Sequence, residues 1–206
     1  EAFNRIAAAF SELAAEHLLG RGAQHRVARV VVRALSRRDV VEYRRLSREV
    51  QRLVGDINGH HATPDWTPVR YVNRGYPHAV LAGFYRMASV CAVPPLRDGM
   101  NLVAKEFLAA QSEENPGVLV LSEFAGAARE LADALIVNPY DTEQFAEAIR
   151  YGLEMEAGER RARMQRLFRQ VEEHNVYRWA ANFLSALAAE RATGDEASSN
   201  RKTAAS

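Results

Sequence analysis

A single cysteine, Cys91, stands in 206 residues. One thiol can build neither a disulfide framework nor a cluster of thiolate metal ligands. Its setting, Val90-Cys91-Ala92-Val93, reads as a small buried hydrophobe in an apolar run. No stretch approaches the roughly 18 uninterrupted apolar residues that cross a bilayer, so no membrane partner is expected. The opening Glu1-Ala2-Phe3-Asn4-Arg5 shows no basic segment leading into an apolar one, and no signal peptide is read there. The cytoplasm is the compartment these features fit. Charge of one sign is missing too: a net charge of +1 implies no bulk attraction to nucleic acid. Arginine does cluster locally, in Arg37-Arg38, Arg44-Arg45 and Arg160-Arg161 with Arg163, beside acids such as Glu42, Glu49 and Glu159. Most of these read as solvated helix faces. Asp-x-Asp occurs nowhere, and His60-His61, the nearest approach to a histidine pair for a metal, reads as loop. No metal or other cofactor is expected.

What is present is an ordinary globular balance, 48% hydrophobic and 26% charged, long enough for one domain with a real core. The pattern alternates helix and strand. A helix is predicted near residues 1–19, stopped by Gly20 and Gly22, and a strand over Val27 to Val32. An amphipathic helix is predicted from Asp39 to about Ile57, ended by Asn58-Gly59. Strands follow at Val69 to Asn73, Val90 to Val93, Val118 to Leu121 and Leu135 to Val137. Between them lie helices opened by Pro77, from Asn101 to about Gln111, and a short one near Gly126 to Leu131. Asp141 caps a further helix. The last runs from about Glu159 to Leu187 with a break near His174-Asn175. Short apolar strands between helices predict an α/β fold with a Rossmann-like parallel sheet and helices on both faces. Residues 1–190 are read as one domain, and 191–206, small and polar, as a disordered tail.

The chemistry concentrates in Pro94-Pro95-Leu96-Arg97-Asp98-Gly99-Met100-Asn101-Leu102-Val103-Ala104-Lys105-Glu106. This stretch follows a strand and opens a helix, the place where open α/β sheets bind ligands. A helix amino terminus offers unpaired N–H groups and partial positive charge to a diphosphate. Gly99 lets the backbone come close to a ligand, and Glu106, about one turn into the helix, can accept from both hydroxyls of a ribose. Spacing alone leaves a plainer alternative open: Asp98 or Asn101 as an N-cap, with Gly99 a turn residue. A single glycine makes no glycine-rich phosphate loop.

The run Leu96 to Glu106 resembles the signature of trehalose-6-phosphate synthases. The likeness continues through Pro116-Gly117-Val118-Leu119-Val120-Leu121-Ser122-Glu123-Phe124-Ala125-Gly126-Ala127-Ala128 and Ala134-Leu135-Ile136-Val137-Asn138-Pro139. It reaches back to Ser36-Arg37-Arg38-Asp39-Val40, Ile57-Asn58-Gly59 and Trp66-Thr67-Pro68, and forward to Trp179 and Phe183-Leu184. The resemblance implies a metal-independent, retaining GT-B glycosyltransferase that moves glucose from UDP-glucose to glucose 6-phosphate, giving trehalose 6-phosphate and UDP. By the same resemblance these 206 residues would correspond to the carboxyl-terminal, donor-binding domain. The resemblance further implies that Asp98 accepts from hydroxyls of the donor glucose, with a catalytic role, and that the Leu102 and Val103 amides meet the diphosphate. Glu106 would grip the ribose and Tyr76 would sit beside the uracil. Gly99, Met100, Asn101, Ala104 and Lys105 complete the donor site. Arg37, read alone as a solvated arginine at a helix start, would hold the phosphate of glucose 6-phosphate. The family also allows a homo-oligomer in its full-length members.

Some family features are not found in these residues. A strand ending in R-x-D-x-x-K-G precedes, in the family, the segment matching Glu1-Ala2-Phe3, and an amino-terminal acceptor domain precedes that. Pro94 stands where the family usually has Thr, and His60-His61-Ala62 where it has a glycine-containing loop. The chain is therefore expected to carry mainly the donor site and to be inactive by itself. Its alternatives are a non-catalytic nucleotide-sugar-binding fragment and a GT-B enzyme with another acceptor. With the family's R-x-D-x-x-K-G strand counted as strand 1, a 3-2-1-4-5-6 order would pair Val27–Val32 with Val69–Asn73, and Val90–Val93 with Val118–Leu121.

Overall fold

A computed structural model describes residues 29–32, 41–64, 66–72 and 74–188. The helix predicted near residues 1–19, the tail over 191–206, and Val27, Asp39 and Asn73 at predicted element ends lie outside the described residues. The chain divides into two compact units, Glu1–Leu167 and Phe168–Ser206.

In the first unit, strands and helices alternate as β1 (Arg29–Val32), α1 (Val41–His61), β2 (Val69–Val72), α2 (His78–Met87), β3 (Val90–Val93), α3 (Leu102–Ala110), β4 (Val118–Ser122), β5 (Leu135–Val137) and α4 (Thr142–Glu154). A 3-10 turn, Gly126–Arg129, stands where a short helix is expected. Helix α5, Ala157–Glu173, begins in this unit. Every strand pairing is parallel, in two sheets of order β1-β2 and β3-β4-β5. The pairs are those the 3-2-1-4-5-6 order demands on either side of its first strand.

The core sits on β4. All five of its residues are buried, and an apolar strand buried throughout is what a parallel sheet covered on both faces requires. On one face Val120 joins Val137 of β5 and Phe145, Ala146 and Ile149 of α4. By the two-residue period of a strand, Leu119 and Leu121 turn to the other face. There Phe107 of α3 lies close to Gly117, where an added Cβ would come 3.1 Å from the ring and 2.3 Å from the carbonyl oxygen of Ala88. Phe107, Leu108 and Ala104 anchor α3 by their burial, each large side chain contributing about 1.5–3 kcal/mol. Asp141 caps α4 as expected, its Oδ1 accepting from the Gln144 amide at 2.9 Å.

Helix α1 departs from the sequence reading: it continues past Asn58-Gly59 to His61. Asn58 is a clamp instead of a stop. Its Nδ2 donates to the Val69 carbonyl and its Oδ1 accepts from the Val69 amide, both at 3.0 Å. The side chain satisfies the first rung of β2, so the last turn of α1 has no reason to unwind. Val50 and Val54 of α1 bury against Val69, with Ile57 and Tyr71 packed alongside. His60 belongs to the same turn, its Nδ1 lying 2.7 Å from the Asp56 carbonyl oxygen.

In the second unit the helix breaks at His174-Asn175, where the sequence suggests a break, and resumes over 176–188. Asn175 caps the new helix, its Oδ1 accepting from the amides of Tyr177 and Arg178 at 3.1 Å. Trp179 and Phe183 stack with ring centroids 5.6 Å apart. No described helix is long and apolar enough to cross a membrane.

Candidate functional site

The loop from β3 to α3 is held by the loop that follows β4. The Asp98 amide donates to the Phe124 carbonyl at 3.3 Å, the Gly126 amide to the Asp98 carbonyl at 3.0 Å, and the Ala127 amide to the Met100 carbonyl at 3.1 Å. Asp98 and Ala125 form a parallel bridge. This contact needs a glycine: a Cβ on Gly126 would sit 1.8 Å from the Gly99 carbonyl oxygen. Gly99 has open space beside it. The close approach seen here is between the backbones of Gly99 and Gly126, and the lack of a Cβ on Gly126 permits it. Ser122, wholly buried, fixes the second loop by accepting from the Phe124 amide through its Oγ at 3.1 Å.

Asn101 joins the loop to the helix. It has φ 65, the one positive φ at a non-glycine position among the described residues. Asparagine tolerates this left-handed region better than most residues. Its Oδ1 accepts from the Ala104 amide at 2.9 Å, which makes it the N-cap of α3. Its Nδ2 donates to Asp98 Oδ2 at 2.9 Å. The cap and the tether on Asp98 thus come from one side chain. Asp98 keeps Oδ1 for another donor.

Ala104 spends its amide on the cap. Among the described residues no acceptor meets the Leu102 and Val103 amides. Around them Met100, Leu102 and Val103 expose apolar side chains, Leu102 at 59%. The amino end of α3 thus offers two uncommitted N–H groups and the partial positive charge of the helix, with a fixed carboxylate, Asp98, just before it.

One turn further on, Glu106 is half-buried. Its Oε2 accepts from the hydroxyl of Tyr85 on α2 at 3.2 Å. Burial, then the nearby Glu106 carboxylate, push the Tyr85 phenol up to about 12. Tyr85, the partner of this candidate residue, was not singled out by sequence reasoning: it lies within the helix opened by Pro77, 21 residues before Glu106. Lys105 has its ammonium 2.7 Å from Glu130 Oε2, which ties α3 to the segment after the 3-10 turn. Tyr76 lies before α2, its ring edge-on to Phe84 with centroids 5.2 Å apart and the Arg74 guanidinium 4.7 Å above it. No hydrogen bond among the described residues joins Tyr76 to the 97–106 segment. Arg37 lies outside the described residues. No group of three or more potential metal-ligating side chains gathers among the described residues.

The model of glycosyltransferase family 20 matches residues 7–189. The chain belongs to glycosyltransferase family 20. A relative, the trehalose-6-phosphate synthase of Sinorhizobium fredii, is 49% identical over 164 residues, 80% of this chain and 35% of its own. The alpha,alpha-trehalose-phosphate synthase (UDP-forming) of Burkholderia xenovorans, solved in complex with glucose-6-phosphate, superposes with a TM-score of 0.84 at 43% identity. That match covers 91% of this chain and 41% of the other. An E. coli structure bound with UDP-2-fluoro glucose gives a TM-score of 0.82 at 38% identity, over 91% and 41% of the two chains. The chain therefore spans between a third and a half of the length of these relatives. Its parallel α/β fold is that of GT-B trehalose-phosphate synthases.

Proposed function

We propose that this family 20 chain holds the UDP-glucose donor of a synthase that transfers glucose to glucose 6-phosphate, releasing UDP and trehalose 6-phosphate. The observation that carries the reading is the amino end of α3. There the unmet Leu102 and Val103 amides stand between a clamped Asp98 and a clamped Glu106. A diphosphate on those amides would lie on the positive end of the helix. The glucose would extend toward Asp98, whose carboxylate accepts from its hydroxyls, and the ribose toward Glu106. Tyr76 would flank the uracil, and Arg37 would bind the acceptor's phosphate. In the transfer the bond from the sugar's C1 to the phosphate oxygen breaks. The bond from C1 to the acceptor oxygen forms on the same face, and the acceptor's proton passes to the leaving phosphate. The protein's part is to hold both partners and to stabilise the charge gathering on UDP with the helix end. Nuclear magnetic resonance titration with UDP tests the reading: the Leu102 and Val103 amide signals should shift saturably. Binding that leaves both signals in place, or no binding, would overturn it.

A further inference from the structure

We propose that Tyr85 is a positioning residue for the nucleotide, its hydroxyl holding the Glu106 carboxylate in the orientation that receives the two ribose hydroxyls. The inference rests on the donor-site reading above. A carboxylate has two oxygens with about four acceptor positions between them. One position on Oε2 is taken by Tyr85, which fixes the rotation of the group and leaves Oε1 and the rest of Oε2 to an incoming diol. An unheld glutamate would have to give up side-chain freedom on binding, and preorganisation removes that cost.

Tyr85 is itself held, so that its hydroxyl is a fixed point. Its ring meets Phe107 edge-on, centroids 6.4 Å apart, and Phe107 is wholly buried. Its carbonyl accepts from Gln111 Nε2 at 2.6 Å. Gln111 Oε1 in turn accepts from the Gly117 amide at 2.7 Å, at the entrance to β4. The carboxyl end of α2, the carboxyl end of α3 and the start of β4 are thereby locked together, and the hydroxyl reaches from that lock to Glu106. With its phenol raised to about 12, the tyrosine keeps its proton near neutral pH and donates it.

The test compares UDP with 2',3'-dideoxy-UDP, which has the same base and diphosphate and no ribose diol, by calorimetry on the chain and on Tyr85→Phe. Phenylalanine retains the ring that packs on Phe107. Affinity for UDP should fall by up to about tenfold, the cost of immobilising one free side chain on binding, while affinity for the dideoxy ligand stays the same. In a Glu106→Ala background, Tyr85→Phe should have no further effect on UDP, because the coupled partner is gone. An unchanged UDP affinity in Tyr85→Phe, or an equal loss for both ligands, would overturn the positioning role and leave the donor site standing. Failure of the unsubstituted chain to bind UDP would overturn the donor reading and this inference with it.

Discussion

Asn101 combines three functions in one residue, and its substitutions should separate them. Asn101→Ala removes the cap, at about 0.5–2 kcal/mol, and forces an ordinary residue into the left-handed region, at about 1–2 kcal/mol. Asn101→Gly suits the φ of 65 and costs only a few tenths as a cap. The alanine variant should therefore have the lower urea midpoint by a clear margin. Both variants free Asp98 and should weaken UDP-glucose binding alike in calorimetry. Equal midpoints would show that the φ carries no strain. Two other residues set a pH dependence. Burial pushes the Cys91 thiol from its ordinary 9 up to about 12, and Tyr85 is raised to about 12. A proton held more tightly in the fold stabilises fully below the ordinary value and ceases to as pH rises through the folded one. Stability should thus fall between about pH 9 and pH 12, read as a declining urea midpoint. Tyr85→Phe should flatten the decline.

Among the elements, α1 and β2 are joined by a residue that local sequence misrepresents. Asn-Gly after an amphipathic run is an ordinary helix stop, yet Asn58 faces the Val69 backbone and the helix runs on. Asn58→Ala leaves a buried amide and carbonyl of Val69 unpaired and should cost about 1–3 kcal/mol in denaturant unfolding. Asn58→Asp should do no better, because its second oxygen would face the Val69 carbonyl. A neutral Asn58→Ala would mean that water replaces the clamp. The other elements were easier to read. The strands Val90–Val93 and Leu135–Val137 appear at their predicted bounds, since a short apolar run between turn residues has few other uses. Helix α3 starts at its predicted cap for the same kind of local reason.

For the whole molecule, the relevant fact is how much of its relatives the chain spans: 35% of the Sinorhizobium fredii protein and 41% of the Burkholderia xenovorans chain. The residues proposed for the donor lie within this span. The acceptor reading rests here on Arg37 alone, so binding and turnover should come apart. These 206 residues by themselves should bind UDP-glucose and release no UDP from it when glucose 6-phosphate is added, in a coupled assay. Steady UDP release matched by trehalose 6-phosphate would show that the acceptor is held by this chain after all.

The composition, the apolar runs and the Leu96–Glu106 motif were enough for the family, the alternation of strands and helices, and the principal donor-site candidates. Those properties are local: a strand needs only its own apolar run, a cap its own side chain and the next turn, and a family motif its own spacing. The partnerships across the fold were not readable this way. Gly126 against Gly99, Tyr85 on Glu106, Lys105 on Glu130 and Asn58 on Val69 each join residues from 11 to 27 positions apart. Each contact exists because packing on β4, or of α1 on β2, brings two separate segments within hydrogen-bond reach. Nothing in the spacing of either segment encodes that distance, so the fold had to be formed before these residues acquired their roles.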